Sequence, residues 1–178
     1  MNIFFKILFV VAAALALSLS GCSKPAEKPV SKTQEILQVY KRETCGCCGK
    51  WVDHMEASGY VTQVTNLQDL APIKQKFGIP DNFQSCHTAI QAGYFFEGHI
   101  PEEVISRFLS EKPQGALGLA VPGMPLGSPG MEYKEQFHEY PVFQINDDGS
   151  HSTYAKVQGR VVLGYASDAI ENLKEGDD

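Results

Sequence analysis

The sequence predicts an α/β domain in which short strands and helices follow one another in the order βαβαββα. Three observations lead to this prediction. Short runs of β-forming residues alternate with segments whose apolar residues recur every three or four positions, as on one face of a helix. Glycines close two of the predicted helices, and Gly93 separates two apolar runs as the turn of a hairpin would. Three thiols lie together where the first predicted strand gives way to the first helix.

Apolar spacing defines the first three elements. Glu35 to Lys41 is a short run with β-forming residues and predicts the first strand. A helix is predicted from Cys47 to Ser58, where Gly59 ends it, because four apolar residues share one helical face. Tyr60 to Thr65 alternates and predicts the second strand. The residues of the helical face are Cys48, Trp51, Val52 and Met55.

Capping residues define the other two helices. Asn66 is predicted to cap a helix over 67–77, and Gly78 ends that helix. Pro101 is predicted to open the last helix of the core, because proline is favoured in the first turn. The apolar stripe of that helix consists of Val104, Ile105, Phe108 and Leu109.

Two hairpins complete the prediction. The first joins strands over 87–92 and 94–98 and belongs to the core. The second joins strands over 142–146 and 153–157 across an Asp-Asp-Gly turn and is an addition to the core. Between the last helix and the second hairpin, residues 122–131 form a loop of glycine, proline and methionine with little means to build its own core.

The N-terminus predicts export and lipid anchoring. Lys6 is followed by an apolar run of 13 residues, which is too short to span a bilayer and is typical of a secretory signal. Leu19-Ser20-Gly21-Cys22 resembles a bacterial lipobox, in which the signal is cut before the cysteine and that cysteine is acylated. Residues 1–21 are therefore predicted to be removed, and Cys22 to anchor a periplasm-facing protein in the bacterial envelope. Ser23 resembles the sorting signal for the outer membrane. The alternative is an ordinary signal peptide with a chance cysteine at its end.

The rest of the chain predicts one domain. Residues 22–33 are polar, contain two prolines and are expected to form a tether behind the lipidated cysteine. Residues 34–170 are long enough to bury a core, and residues 171–178 form an acidic tail. Removal of the signal takes away only Lys6 among the charged residues, so the net charge changes from −6 to −7. A surface of that sign argues against nucleic acid as a partner.

Cys45-Gly46-Cys47-Cys48 is the densest chemical feature of the chain. Residues three apart on a helix face the same way, so Cys45 and Cys48 can converge on one ion or form a disulfide, while Cys47 points to another side. A helix N-terminus stabilises anions, which predicts thiols that ionise more readily than a free cysteine. Cu(I) prefers such soft donors, and thiolate sulfur can bridge two ions. Zinc is less favoured, because structural zinc sites usually separate their cysteines into two pairs.

The stretch from Glu35 to Lys112 resembles a thioredoxin fold. Cys45 and Cys48 match the two Cys-x-x-C positions at the N-terminus of the active-site helix. In thioredoxins, the loop before the hairpin brings a cis-proline against these cysteines. The matching stretch here, Phe83 to Thr88, carries Cys86 instead. The resemblance therefore implies that Cys86 meets the cluster in space.

Four motifs resemble, more narrowly, those of the CopG-type family of bacterial copper-resistance proteins, over most of Ile36 to about Val157. Their spans are Cys45–Cys48, Ser85–Ala89, Glu97–Pro101 and Gly118–Glu132. The resemblance implies periplasmic copper handling, with copper ions and other copper-handling proteins as partners. It also implies that a multinuclear, thiolate-bridged Cu(I) cluster is bound by Cys45, Cys47, Cys48 and Cys86.

Two other interpretations of the thiols stay open. An exported domain lies in an oxidising compartment, where the cysteines could form ordinary disulfides. The second alternative is a thiol-disulfide or copper-linked oxidoreductase, in which Cys45 and Cys48 are catalytic and Cys47 or Cys86 is the resolving thiol. A cysteine in place of the shielding proline favours metal binding or substrate trapping over turnover. The sequence leaves open whether the protein is an enzyme.

Two methionines and two histidines are weaker candidate ligands. Met124 and Met131 each end a Pro-Gly-Met unit, and thioethers are soft donors for Cu(I), although methionine also fills irregular gaps in a core. His87 adjoins Cys86, and His99 follows the predicted hairpin, so each is either close to the site or a structural hydrogen-bonding group. Neighbouring side chains of a strand point oppositely, so His87 is expected to turn away if Cys86 points inwards.

Overall fold

Residues 35–168 are described by a computed structural model of the 178-residue chain. The predicted signal peptide over 1–21, the predicted lipid anchor at Cys22, the tether over 22–33 and the acidic tail over 171–178 lie outside these residues. So do the outer limits of the domain predicted over 34–170. None of the helices within 35–168 has the length and apolar character that crossing a membrane requires.

The described chain forms eight strands, three α-helices and one short 3₁₀ helix. The predicted order βαβαββα is observed between Leu37 and Glu111, and four more strands follow it. In chain order the elements are β1 (Leu37–Lys41), α1 (Gly46–Ala57), β2 (Thr62–Asn66), α2 (Ala71–Lys76), the 3₁₀ helix (Asp81–Phe83), β3 (His87–Gln91), β4 (Tyr94–Glu97), α3 (Glu102–Glu111), β5 (Ala116–Ala120), β6 (Glu139–Asn146), β7 (His151–Gln158) and β8 (Val161–Tyr165).

All eight strands belong to one sheet, in the order β2-β1-β3-β4-β5-β6-β7-β8. The β1–β2 and β4–β5 pairs are parallel, and the other pairs are antiparallel. The second hairpin, which the sequence predicts as an addition, is formed by β6 and β7. Strand β5 was not predicted, and it joins that hairpin to the core by pairing with both β4 and β6. The addition therefore extends the sheet continuously.

Side-chain alternation places a hydrophobic cluster on each face of the sheet. In β3 Ala89 belongs to the larger cluster and Ile90 to the smaller one, and in β4 Phe96 and Phe95 divide in the same way. Helices α1 and α3 contribute to the larger cluster, and the face predicted for α1 is the one that is buried. The helical residues of this cluster are Trp51, Val52, Met55, Val104, Ile105 and Phe108.

The turns around the core differ from the predictions at one helix. Helix α2 begins at Ala71 rather than at residue 67, because Pro72 suits the first turn and the Asp69 carboxylate accepts a hydrogen bond from the Ala71 amide at 3.0 Å. Asn66 ends β2 instead of capping the helix. The predicted turn at Gly93 is confirmed: Ala92 and Gly93 have φ of 52° and 85°, as a two-residue type I′ turn requires.

Candidate metal centre

Four cysteine sulfurs meet at the N-terminal end of α1. Cys45 is the N-cap residue of α1, Cys47 and Cys48 lie in its first turn, and Cys86 lies just before β3. The four Sγ atoms all lie within 4.8 Å of one another. The structure thus places Cys86 beside the three clustered cysteines, as the thioredoxin resemblance implied.

Two of these cysteines are paired. Cys45 and Cys48 form a disulfide, whereas Cys47 and Cys86 are free. The Cys47 sulfur lies 3.4 Å from that of Cys45, and the Cys48 sulfur lies 3.7 Å from the Cys86 carbonyl oxygen. Of the two arrangements that the sequence allowed for Cys45 and Cys48, the structure therefore contains the disulfide. Reduction of that disulfide would give four thiols in contact.

The cysteines differ in their access to solvent. Cys48 is fully buried on the core-facing side of α1. Cys45 and Cys86, in contrast, line a cavity of about 530 Å³. Arg42, Lys74 and Met124 also line this cavity, and the Met124 side chain is 53% exposed. Small solutes therefore have a direct approach to Cys45 and Cys86.

His99 presents a ring nitrogen to Cys86. Its Nδ1 lies 2.7 Å from the Pro129 carbonyl oxygen, which can only accept a hydrogen bond, so Nδ1 carries the proton. Its Nε2 therefore has a free lone pair, and Nε2 lies 3.0 Å from the Cys86 sulfur. Burial lowers the pKa of His99, which keeps the ring neutral. A neutral imidazole oriented by a backbone carbonyl is the usual form of a histidine metal ligand.

His87 is also brought into the site, contrary to the alternation expected from a strand. The strand begins only at His87, so Cys86 lies in the preceding bend and the alternation does not apply to the pair. His87 Nδ1 lies 3.4 Å from the Cys86 sulfur, and the ring packs 4.4 Å from that of Trp51. Burial, then neighbouring His99 and Lys74, hold the pKa of His87 well below its usual range. Among the described residues, its buried Nε2 has no hydrogen-bond partner.

The ionisation predicted for the thiols does not extend to Cys86. Burial and the nearby Cys47 raise the pKa of Cys86 to about 11. In the metal-free protein at neutral pH, Cys86 is therefore a thiol, whose S–H can be donated to His99 Nε2. Binding of a soft cation would replace that proton.

The Gly/Pro/Met loop packs against the first turn of α1. A Cβ at Gly130 would lie 2.5 Å from the Cys47 carbonyl oxygen and 2.8 Å from the Trp51 amide nitrogen, so only glycine allows this approach. The Trp51 indole donates to the Ile100 carbonyl at 2.9 Å and thereby fixes the chain next to His99. Met131 lies at the end of the loop, where its amide donates to the Ser128 carbonyl at 2.8 Å. The loop thus encloses one side of the thiols and carries Met124 to the cavity.

A buried ion pair, which was not predicted from the sequence, lies behind Cys86. Lys74 on α2 and Glu97 at the end of β4 are 5% and 0% exposed, and they form a salt bridge. Both contact the backbone of Ser85. A signal was present in the sequence, because Glu97 is the one charged residue of β4, where Tyr94, Phe95 and Phe96 precede it.

Comparisons with known proteins identify relatives of the chain. A family model described as a protein of unknown function, DUF411, matches residues 83–131. The solved structure titled copper resistance protein CopG, form 2, is 35% identical, with a TM-score of 0.66, and the match covers 69% of this chain and 98% of that one. Form 1 matches at 35% identity with a TM-score of 0.65 and covers 68% and 96%. No curated protein sequence matches.

Proposed function

The chain belongs to the family of the copper resistance protein CopG, and we propose on that premise that it binds Cu(I) in copper resistance. The observation that carries the proposal is the convergence of four cysteine sulfurs within 4.8 Å, from two segments 38 residues apart. Thiolates are soft donors that select Cu(I), and their sulfur can bridge ions. A multinuclear cluster held by Cys45, Cys47, Cys48 and Cys86 follows from this donor set.

Nitrogen and thioether donors surround these thiolates. His99 Nε2 is the best placed, because its lone pair faces the Cys86 sulfur. His87 forms a second set with Cys86 and His99 whose ligand atoms also lie within 4.8 Å of one another. Met124 supplies a thioether at the cavity that an arriving ion would meet first. We propose these as additional ligands, with Met131 as a further thioether on the same loop.

We also infer a thioredoxin-like core and an exported location. The order β2-β1-β3-β4, with β1 and β2 parallel and the other pairs antiparallel, supports a thioredoxin-like unit with its cysteines at the start of α1. The lipobox-like sequence ending at Cys22 supports an acyl anchor that holds the domain on the periplasmic side of the outer membrane. Other copper-handling proteins of that compartment would then be its partners.

The disulfide favours a second function, that of a copper-linked oxidoreductase. When Cys45 and Cys48 are reduced, their two thiols can give two electrons to two Cu(II) ions. The products are two Cu(I) ions, the Cys45–Cys48 disulfide and two protons. A thiol reductant would restore the dithiol by exchange at Cys45, because Cys45 lines the cavity whereas Cys48 is buried.

Copper binding is tested by titrating Cu(I), supplied as its acetonitrile complex, into full-length protein under argon. Reduced protein is expected to bind several Cu(I) ions and to show an ultraviolet sulfur-to-copper charge-transfer band. Protein with the Cys45–Cys48 disulfide intact serves as a matched control and should bind fewer ions, because two of the four sulfurs are tied. Metal analysis gives the number of copper ions bound per protein molecule. Absence of copper from the reduced wild type, or full binding by a Cys86→Ser variant, would contradict the proposal, as would a preference for zinc.

The oxidoreductase function needs a separate measurement. Reduced protein is mixed with Cu(II) without oxygen, and the Cu(I) formed is captured by a chromogenic chelator. Two Cu(I) ions should appear for each disulfide formed, and Cys45→Ser should abolish the reaction. If Cu(II) is bound without reduction, the protein binds copper passively.

A further inference from the structure

We infer that Lys74 and Glu97 are positioning residues that hold Cys86 in place to bind copper. This inference rests on the proposed function, because it assigns the two residues to the same site. It goes further by explaining why an ion pair is buried next to the cysteines. Neither residue belongs to the set of candidate ligands.

The burial of this pair requires an explanation. Lysine and glutamate are almost never fully buried unless they are paired, and here both are almost completely removed from solvent. Desolvation of two charges is costly, and hydrophobic residues of similar volume often give equal or greater stability. Stability alone therefore does not account for a lysine and a glutamate at these positions. Their contacts identify another role.

Both charged groups contact the residues on either side of Cys86 and His87, through the backbone of Ser85 and the hydroxyl of Thr88. The Glu97 carboxylate accepts hydrogen bonds from the Ser85 amide at 2.5 Å and from the Thr88 hydroxyl at 2.6 Å. The Lys74 ammonium donates to the Ser85 carbonyl at 3.1 Å and lies 3.3 Å from the Thr88 hydroxyl. The ion pair thus fixes Ser85 and Thr88, and the two residues between them are held at both ends.

This segment needs such support because it has no regular secondary structure. It connects the 3₁₀ helix, which ends at Phe83, to β3, which starts at His87. The Ser85 amide therefore lies outside any strand ladder, and a carboxylate satisfies it instead. Ligands of a metal site require precise placement by surrounding hydrogen bonds. Glu97 also lies two residues before His99, so one short stretch provides both the support for Cys86 and a candidate ligand.

The test is a double variant, Lys74→Met with Glu97→Leu, in the full-length protein. Replacement of both charges leaves no unpaired buried charge, so the fold is expected to survive while the backbone of Ser85 loses its two side-chain partners. The double variant Arg107→Met with Glu111→Leu is the control, because it removes a partly exposed ion pair of α3, together with the Arg107–Asp168 salt bridge, without contacting the cysteine segment. The melting temperature of each protein checks folding. Thr88→Val is a milder variant that removes only the hydroxyl from the network.

Two measurements report on Cys86 rather than on stability. In the metal-free protein, alkylation of Cys86 by iodoacetamide, followed by peptide mass spectrometry, should become faster as the segment is released. In the reduced protein, Cu(I) affinity from chelator competition should fall about tenfold, the usual lower limit for loss of groups that support a metal ligand. Thr88→Val should change the alkylation rate and the Cu(I) affinity in the same directions but by smaller amounts. The control variant should change neither the rate nor the affinity.

The alkylation measurement does not depend on copper. If the wild type binds no copper, the proposed function is wrong, but the alkylation rates still decide whether the ion pair positions Cys86. If the folded double variant has the alkylation rate of the wild type, or binds Cu(I) with unchanged affinity, the inference is overturned.

Discussion

Within residues 35–168, Cys86 is shared by both groups of side chains that could hold a metal ion. One group combines it with Cys45, Cys47 and Cys48, and the other combines it with His87 and His99. A thiolate sulfur can serve two soft ions at once. We therefore expect Cys86 to bridge an ion held by thiolates and an ion with imidazole coordination. Its loss should affect copper binding more than the loss of Cys47, which belongs to only one group.

The burial of Cys86 leads to a prediction about its reactivity. The pKa of Cys86 is raised to about 11, above the ordinary value for cysteine, and only the thiolate reacts with alkylating reagents. In the metal-free protein, its alkylation rate should rise about tenfold per pH unit from pH 7 to pH 10 without levelling off. Peptide mass spectrometry after iodoacetamide treatment measures this rate, with N-acetylcysteine as the control. A plateau near pH 9 would contradict the prediction.

The element that closes the site is the loop between β5 and β6. Its Pro129 carbonyl orients His99, and its Gly123 carbonyl accepts a hydrogen bond from the Ser85 hydroxyl at 2.6 Å. Gly130 brings the loop against the backbone of α1. The loop thus connects the two cysteine-bearing segments with the histidine, and its packing should influence metal binding as well as stability.

We predict that Gly130→Ala disrupts this packing. Gly130 has φ of 84°, and the added Cβ would collide with backbone atoms of Cys47 and Trp51. The matched control is Gly149→Ala, because Gly149 has φ of 81° but a Cβ added there would meet no atom within 4 Å beyond its chain neighbours. Both variants should lose about 1–2 kcal/mol from the left-handed backbone, and Gly130→Ala should lose about 1–3 kcal/mol more from the collision.

Urea denaturation of both variants measures this difference in unfolding free energy. Copper titration of the folded fraction then shows whether the loop also supports the site, since a displaced Pro129 carbonyl would free the His99 ring. Equal destabilisation by the two alanines, with unchanged copper binding, would show that the loop and α1 are not in close contact.

The sequence predicted the parts of this fold that depend on local spacing. The buried face of α1 and the turn at Ala92 and Gly93 follow from periodicity and turn chemistry, and both are confirmed. Strand β5 was missed because its Ala-Leu-Gly-Leu-Ala sequence lacks β-branched residues. Its Gly118 packs directly against the Phe95 backbone, and that need for a small residue is visible only in the sheet.

The site was predictable only in part for the same reason. Cys86 could be assigned to the cluster through family resemblance and topology, because the loop before a hairpin has a known place in that arrangement. The tautomer of His99 depends on the Pro129 carbonyl, 30 residues away. The role of Lys74 depends on Glu97, 23 residues away. Such contacts are set by tertiary packing and leave no local pattern.

At the scale of the whole molecule, the candidate metal site lies where the ends of two neighbouring strands of the sheet meet. Cys45, Cys47 and Cys48 follow β1, Cys86 precedes β3, and β1 and β3 are antiparallel neighbours in the sheet. Strands β5 to β8 continue the sheet on the other side of β4, and the loop that covers the cysteines starts from β5. The sheet therefore sets the positions of the helix, the bend and the loop that carry the candidate ligands.

This arrangement predicts how copper should stabilise the fold. Cu(I) at about 100 times its dissociation constant stabilises a folded state by about 2.7 kcal/mol if the unfolded chain does not bind it, which raises the melting temperature by about 5–10 °C. The Cys45–Cys48 motif is local, however, so the unfolded chain can also bind copper, and that binding reduces the effect. Only the ligands that the fold adds contribute to stability, and Cys86 is the principal one.

Reduced wild-type protein and the Cys86→Ser variant should therefore differ in their response to Cu(I), as measured by calorimetric melting with and without the metal. The wild type should gain several degrees, and the variant should gain much less even where it still binds copper through the local motif. Cys47→Ser is the matched control, because it removes a thiol that the unfolded chain also offers and should leave most of the gain intact. An equal gain in the wild type and in Cys86→Ser would mean that Cys86 is not the ligand through which the fold raises the copper affinity of the site.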